Sequence, residues 1–376
     1  MAEKRNIKAL CLDELTQTLK DWGVEGYRLH QVFRWLYHED AAAFAEMSNL
    51  SKALRQRLDE HFYIGRLPSK AVQTSSDGTR KFLFELSDRE SVESVLIPND
   101  KRQTLCISTQ VGCAMACSFC LTGRLGLTRN LNHYEIVEQV MAVRRAVQPE
   151  TRITNIVYMG MGEPLHNFDE TIESLKILLD ERGLNFSKNK VTVSTSGLVP
   201  QIKKFGELTD VKLAISLTAT TDETRERLIP LNRKHNLAAL LKACREYPLK
   251  GKRRITFEYT LLKGVNDSQD DAKRLVKLLA GIPAKVNLIP FNDFPGSGFE
   301  RTSDETMLAF QKYLLDRHVQ ANIRVSRGRD ILGACGQLKA KMEERRVPLR
   351  PFPPGKPVHG SPGRPLPRNL GRSAIQ

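Results

Sequence analysis

The chain has 376 residues, 40% hydrophobic and 27% charged, enough for two or three domains and a sizeable core. It contains no run of about eighteen apolar residues and no signal-type apolar core after Met1-Ala2-Glu3-Lys4-Arg5, so a membrane span is excluded and a cytoplasmic protein is expected. A formal charge of +15 and a pI near 9.5 point to a polyanionic partner, nucleic acid first. The seven cysteines of a reducing compartment point to metal or catalytic chemistry before disulfides.

Residues 1–66 read as a small helical unit. Leu15, Leu19 and Trp22, then Val32, Phe33, Leu36 and Tyr37, fall at helical spacing on either side of a turn at Gly23 and Gly26. A third amphipathic run, Ser51 to Phe62, sets Leu54 and Leu58 against Lys52, Arg55 and Arg57, which suits a helical cap or an RNA-contacting module. Residues 67–100 read as a small antiparallel linker sheet. Its strands are Ser69 to Thr74, Thr79 to Leu86 and Ser91 to Pro98, with a turn at Ser75-Ser76-Asp77-Gly78.

Residues 101–344 then alternate strands with helices. Strands are expected at Thr104–Thr109, Ile153–Met159, Lys190–Ser194, Val211–Ser216, Arg254–Leu261, Ala284–Ile289 and Ile323–Ser326. Helices are expected at Tyr134–Ala146, Asp169–Leu179, Pro200–Phe205, Leu237–Tyr247, Ser268–Leu279 and Asp304–Arg317. Alternation of this kind predicts parallel strands, hence an α/β fold built as a partial β/α barrel with its chemistry at the strand ends. Residues 345–376 hold eight of the eighteen prolines and no acidic residue, and read as a basic disordered tail.

Three cysteines, Cys113, Cys117 and Cys120, form a C-x3-C-x2-C loop directly after the first of these strands. Soft sulfur ligands select iron–sulfur clusters, zinc or Cu(I). Zinc suits the spacing less, because a structural zinc site wants four protein ligands. Three thiolates leave one iron of a [4Fe-4S] cube without a protein ligand, open to a substrate or cofactor. Burial of the three as small hydrophobes is the plain alternative. A glycine-rich turn follows the next strand, Met159-Gly160-Met161-Gly162-Glu163-Pro164. It allows close backbone approach and sets Glu163 within reach of an ammonium group.

Together with Gly162-Glu163, the cysteine triplet resembles the radical S-adenosylmethionine (SAM) superfamily. Longer strings narrow the likeness. They are Leu105-Cys106-Ile107-Ser108-Thr109-Gln110-Val111-Gly112-Cys113, Ser194-Thr195-Ser196-Gly197, Ile289-Pro290-Phe291-Asn292 with Phe294-Pro295-Gly296, and Gly333-Ala334-Cys335-Gly336-Gln337. In this order they resemble the RlmN/Cfr family of RNA methyltransferases, from about residue 10 to 345. The resemblance implies methylation of adenine C2 in large-subunit ribosomal RNA, and in transfer RNA for some members. The sister activity at adenine C8 and a non-catalytic cluster-bearing RNA-binding protein are the alternatives.

By position, the resemblance makes Cys113, Cys117 and Cys120 the ligands of a [4Fe-4S] cluster. It makes Gly162, Glu163, Ser194, Ser216, Leu217, Thr218 and Asn292 contacts for SAM. Cys335 would accept a methyl group by displacement. A second SAM, cleaved reductively, would then take hydrogen from that S-methyl group, and the methylene radical would add to the base. Cys106 would release the product by forming a disulfide with Cys335, and Glu93 would accept a proton. An electron donor such as flavodoxin or ferredoxin and a monomeric state are implied with it. Cys11 and Cys244 match nothing in the family and read as packing residues. Where the family commonly has Ser-Leu-His, this chain has Ser216-Leu217-Thr218, and threonine lacks the charge and reach of imidazole. Leu121-Thr122-Gly123-Arg124 also departs from the commoner Ser-Thr-Ala. Both departures suggest a diverged branch.

Overall fold

The computed structural model describes residues 4–100 and 102–338; the proline-rich tail expected from 345 lies outside the described residues. At the N-terminus a two-residue strand β1 (Arg5–Asn6) pairs in parallel with β2 (Phe62–Tyr63), closing a unit of three helices, α1 (Leu12–Asp21), α2 (Gly26–Tyr37) and α3 (Lys52–His61). Helices α1 and α3 start where the sequence can satisfy free N–H groups. Glu14 accepts from the Cys11 N–H ahead of α1, and Ser51 Oγ accepts from the Leu54 N–H ahead of α3. The apolar stripes of α1 and α2 meet in one core with Phe44, Met47 and Leu50.

The rest of the chain builds a single sheet, and its strands follow in chain order. The first are β3 (Ser69–Thr74), β4 (Arg80–Glu85), β5 (Ser91–Asn99) and β6 (Arg102–Cys106). A small hairpin, β7 (Gln110–Gly112) with β8 (Leu127–Asn130), encloses the cysteine loop and a short helix α4 (Leu121–Leu125). Then come α5 (His133–Val147), β9 (Asn155–Tyr158), α6 (Phe168–Leu179), β10 (Val191–Thr195), α7 (Val199–Leu208) and β11 (Lys212–Ser216). The chain goes on through α8 (Asp222–Leu228), α9 (Leu237–Arg245), β12 (Ile255–Leu261), α10 (Gln269–Leu279), β13 (Ala284–Pro290), α11 (Asp304–Leu315) and β14 (Ala321–Ile323).

The sheet has ten strands in the order β14-β13-β12-β11-β10-β9-β6-β5-β4-β3. From β6 through β14 the neighbours are parallel, as strand–helix alternation requires. The strands read as a separate linker, β3 to β5, are instead antiparallel additions to this same sheet, joined through β5 to β6. Among the described residues β14 and β3 remain its two edges, so the barrel is partial.

Three element expectations need correction. The last strand ends at Ile323 rather than running to Ser326, because the chain turns there into the loop carrying Cys335. The strand before the cysteine loop ends at Cys106, and the hairpin β7–β8 takes over Gln110 to Gly112. Helix α8 went unpredicted: its seven residues are too few for a period to show, although Thr221 caps it by accepting from the Thr224 N–H.

The alternation along the strands sorts two faces. Val193, Leu213, Ile215, Phe257, Tyr259, Val286 and Leu288 are buried outward against the helices. The register pairs Ser194 with Ala214, Ser216 with Glu258 and Glu258 with Asn287, so a polar set faces inward along the concave side. Among the described residues no helix is long and apolar enough to cross a membrane.

The helical unit docks on α5 and α6 through Val137, Met141 and Ile177. An ion pair sits inside that contact, Lys8 Nζ to Glu138 Oε1 at 2.6 Å, with both side chains essentially unexposed. Glu138 Oε2 also accepts from Arg145 Nη2 and the Leu67 N–H. Removing one partner of such a pair leaves a buried charge under-compensated. Lys8→Ala is therefore expected to lower the unfolding free energy by about 3 kcal/mol in chemical denaturation, whereas Lys273→Ala, which breaks a solvent-exposed pair with Asp270, leaves the curve in place.

Candidate active site at the strand ends

A cavity opens at the carboxyl ends of the parallel strands, where α/β sheets gather ligands. Its wall includes Cys113, Cys117, Cys120, Gly162, Glu163, Ser194, Ser216, Thr218, Asn292 and Cys335. Segments more than two hundred residues apart in the chain thus share one space. Of the cofactor contacts expected from sequence, Leu217 stands apart. Its side chain is buried in the main core, and only its backbone serves the site, the carbonyl accepting from Arg225 Nε at 3.2 Å. Glu93 and Cys106 also lie outside that wall, deeper along the concave face.

The cysteine loop is clipped at its base, where the Cys113 N–H donates to Gly126 O at 2.8 Å. Gly112 and Gly126 both hold positive φ there, which a side chain would strain. Ser118 N–H donates to Leu228 O at 3.0 Å, tying the loop to α8. Burial pushes all three thiols above their ordinary range, Cys113 to about 12. The chain by itself therefore holds them as neutral thiols, and binding of a cluster releases their protons. Among the described residues no three His, Cys, Asp or Glu side chains are already gathered as metal ligands. What fits a cluster is the donor chemistry: three soft sulfurs from one loop, with no histidine among the residues lining the space and with the fourth cysteine there, Cys335, on a separate loop.

Glu163 closes the opposite side. Oε2 accepts from Ser196 N–H at 2.7 Å and Ser196 Oγ at 2.8 Å, while Oε1 accepts from the Leu165 N–H. Burial raises its pKa against these donors, and no cation pairs with it among the described residues, so an ammonium group would meet an otherwise uncompensated carboxyl. The preceding turn is held by Gln110, whose Oε1 accepts from the Glu163 N–H, and Gly162 sits at φ +100° with no room for a Cβ beside Gln110. Asn292 donates from Nδ2 to Cys335 O at 3.2 Å. Its Oδ1 is buried without a partner, as expected of a group that waits for a donor. Thr218, standing where the family has histidine, lines the cavity with its backbone at φ +55°. Its carbonyl is held by Asn266 Nδ2.

Cys335 is presented by a loop that α4 grips at both sides. Leu121 N–H donates to Gly336 O at 2.8 Å and Thr122 Oγ1 to Leu338 O at 2.6 Å. Arg124, part of the run that departs from the family, donates to Ser297 O at 2.6 Å and to Gly296 O, and stacks over Phe294. On the far side the hairpin turn β3–β4 fastens the same loop, with Ser75 Oγ donating to Asp330 at 2.5 Å and Gly328 N–H to Asp77.

Two site residues escaped the sequence reading. Arg324 follows β14 on the inward row and lies 3.9 Å from Glu258 Oε2. Its guanidinium is held charged chiefly by Cys335, then by Glu258 and Cys106. The clue available was Glu258 itself, the one charged residue in the buried strand Ile255–Leu261. Cys106 faces the same row. Burial first, and then Cys335, push its thiol up to about 12. Glu93 lies two residues along β5 from Val95, the register partner of Cys106, and so shares its face; its carboxylate pairs with Lys81 Nζ at 3.1 Å.

Cys335 is exposed and Cys106 buried, which separates their reactivity. In the chain freed of metal, alkylation is expected at Cys335 first. Cys106, protonated below a pKa of about 12, should stay unreactive near neutrality and gain reactivity only as the pH climbs toward that value. Peptide mapping by mass spectrometry after timed alkylation reads both sites.

Residues 107–276 match the radical SAM superfamily, and residues 5–64 match the ribosomal RNA large subunit methyltransferase N-terminal domain. A Pelobacter propionicus protein named dual-specificity RNA methyltransferase RlmN is 55% identical, over 93% of this chain and 99% of its own length. One of the same name from Geobacter sulfurreducens is 54% identical, over 95% and 97%. Among solved structures, a radical SAM methyltransferase from Sphaerobacter thermophilus superposes with a TM-score of 0.83 at 45% identity, covering 90% of this chain and all of that one. With a cysteine loop and a second, distant cysteine facing one cavity in such a fold, the chain belongs to the RlmN family of radical SAM RNA methyltransferases, which use a [4Fe-4S] cluster and SAM.

Proposed function

We propose that this chain methylates C2 of an adenosine in 23S ribosomal RNA and of one in the tRNA anticodon loop, through a methyl group carried on Cys335. The observation that carries the reading is the placement of Cys335 over the cavity walled by Cys113, Cys117 and Cys120, with Cys106 close enough to feel its charge. Two RNA substrates accord with the name dual-specificity RNA methyltransferase borne by the relatives.

Adenine C2 is too weak a nucleophile to take a methyl group from SAM by displacement, whereas a thiolate does so readily. Cys335 Sγ attacks the SAM methyl carbon; the new carbon–sulfur bond forms as the sulfonium bond breaks, and S-adenosylhomocysteine leaves. Cys113, Cys117 and Cys120 would hold the cluster, which would supply the single electron for cleaving a second SAM and so for activating the S-methyl group on Cys335 by hydrogen abstraction. Glu163 and the Gly160–Gly162 edge receive the amino-acid end of the cofactor, and Asn292 and the Ser194 and Ser216 positions line its remaining length. Once the carbon is joined to the base, Glu93, paired with Lys81 Nζ at 3.1 Å, serves as acceptor of the ring proton, and the unpaired electron of the adduct would return to the cluster. Cys106 then attacks the Cys335 sulfur; the disulfide forms as the sulfur–carbon bond breaks, the carbon keeps the electron pair and takes a proton to become the methyl group, and the external redox protein returns the disulfide to two thiols with two electrons. Arg324, near enough to both sulfurs to act on either, stabilises whichever is thiolate.

The electron comes from a small acidic redox protein of the flavodoxin or ferredoxin class, and the positive net charge draws RNA to the surface. The chain acts as a monomer in the cytoplasm, where its RNA substrates are.

Two variants test the scheme with mass mapping of the modified base. Cys335→Ala is expected to reduce methylation to background, and an active variant would sink the mechanism. Cys106→Ala should accumulate RNA covalently joined to protein, seen as a shifted band on denaturing gels. A C8 product in place of C2 from the wild-type chain overturns the assigned position.

A further inference from the structure

Arg225, on the short helix α8, is wholly buried, with 0% of its surface exposed. Its guanidinium lies directly behind the cavity wall. Nη2 donates to Ser196 O at 2.6 Å and Ser216 O at 3.1 Å, Nε to Leu217 O at 3.2 Å, and Nη1 to Asn232 Oδ1 at 3.0 Å. Each of these acceptors is neutral. Among the described residues no carboxylate forms an ion pair with it, and the nearby Asp222 turns its carboxylate to Asn232 Nδ2 and the Leu237 N–H. A buried cation without an anion is a costly arrangement, which folds keep when the anion arrives with a ligand.

The missing anion lies on the cysteine loop. Ser118 donates to Leu228 O from both its N–H, at 3.0 Å, and its Oγ, at 3.4 Å, so the loop rests on the C-terminal end of the helix that carries Arg225. Burial acts most on Arg225, and of the titratable groups near it Cys117 comes first, ahead of Asp222 and Cys244; Cys117, a neutral thiol in the bare chain, would become an anion on holding a cluster. Three thiolates on an oxidised cubane core make a monoanion, and the one-electron-reduced form is a dianion. In a low-dielectric wall a fixed cation stabilises the second more than the first. Guanidinium suits this place better than ammonium. Burial pulls Arg225 down only to about 10, so it stays charged at neutral pH, and its planar fork reaches four acceptors at once, which an ammonium does not.

We propose that Arg225 is the built-in counter-charge of the cluster, setting its reduction potential from behind the wall without touching the substrate. One electron enters from the external redox protein and stays on the cluster; Arg225 neither gains nor loses a proton, and no bond changes. By the same hydrogen bonds it holds the Ser196 and Ser216 carbonyls at the ends of β10 and β11, which makes it a positioning residue for the cofactor wall as well. The inference rests on the cluster assignment for Cys113, Cys117 and Cys120.

The test uses the full chain, reconstituted with iron and sulfide, as wild type, Arg225→Gln and Arg225→Lys. Iron content is measured first, and the potential is then read by redox titration followed by electron paramagnetic resonance. Arg225→Gln is expected to lower the reduced-to-oxidised ratio at a fixed poise by at least about tenfold, a shift of about 59 mV to more negative potential for one electron. Arg225→Lys, which keeps the charge and loses part of the fork, is expected to stay within about threefold of wild type, about 28 mV. A Gln variant with full iron and an unshifted potential overturns the inference while leaving the methyltransferase reading intact. If the Gln variant takes up no cluster, the Lys variant decides: a tenfold shift overturns the proposal, and an unshifted potential supports it. A wild-type chain that binds no cluster overturns the reading of the cysteine loop itself.

Discussion

The site depends on the grip that α4 takes on the backbone around Cys335. Two hydrogen bonds, Leu121 N–H to Gly336 O and Thr122 Oγ1 to Leu338 O, fasten together the loop that carries Cys113, Cys117 and Cys120 and the loop that carries Cys335. Loop closure over such a separation costs little more than over a short one, but the two sulfurs must arrive within chemical reach of one bound cofactor. The short helix does this cheaply. Its first-turn N–H groups are unsatisfied by construction, and the carbonyl of Gly336 is what they find. Gly336, at φ +83° beside Phe119 O, lets the Cys335 loop come that close.

Around this clamp the fold separates two kinds of electrostatics. The outward faces of the strands are apolar and packed, while the concave face keeps Ser194, Ser216, Glu258, Asn287 and Arg324 in line. A polar interior is tolerable in a sheet that stays open at both edges, since cofactor, substrate and water can complete its hydrogen bonds. Arg324 and Arg225 both bring positive charge to the cavity. The first lies among Cys106, Cys335 and Glu258, and the second lies behind the wall at Ser196 and Ser216. Both are held by acceptors on strand ends, so that binding and redox chemistry meet an arrangement already formed.

The departures from the family acquire local explanations. Arg124 tethers the cysteine loop to Gly296 and Ser297. Gly123 is needed because a Cβ there would come within 3.0 Å of the Cys117 backbone. Thr218 keeps the left-handed backbone of the Ser216-Leu217-Thr218 turn and its place at the cavity, so what histidine would add is side-chain reach and charge alone.

Hydrophobic period and cysteine spacing were enough to determine the alternation of strands and helices, the helical unit at the start, and a soft-metal loop at a strand end. These are local properties: side-chain period follows backbone geometry, and ligand spacing is limited by the span of one loop. The partnership of Cys335 with the triplet was legible only through resemblance to a known family, because no pattern within a few residues of either announces the other. Tertiary structure alone decided the union of β3 to β5 with the main sheet, the burial of Leu217 and the placing of Arg324 against Glu258. It also decided the confinement of Arg225 behind the cluster wall. Each of these is set by strand register and by which charges a fold leaves unpaired, and both depend on contacts between segments that sequence periodicity does not connect.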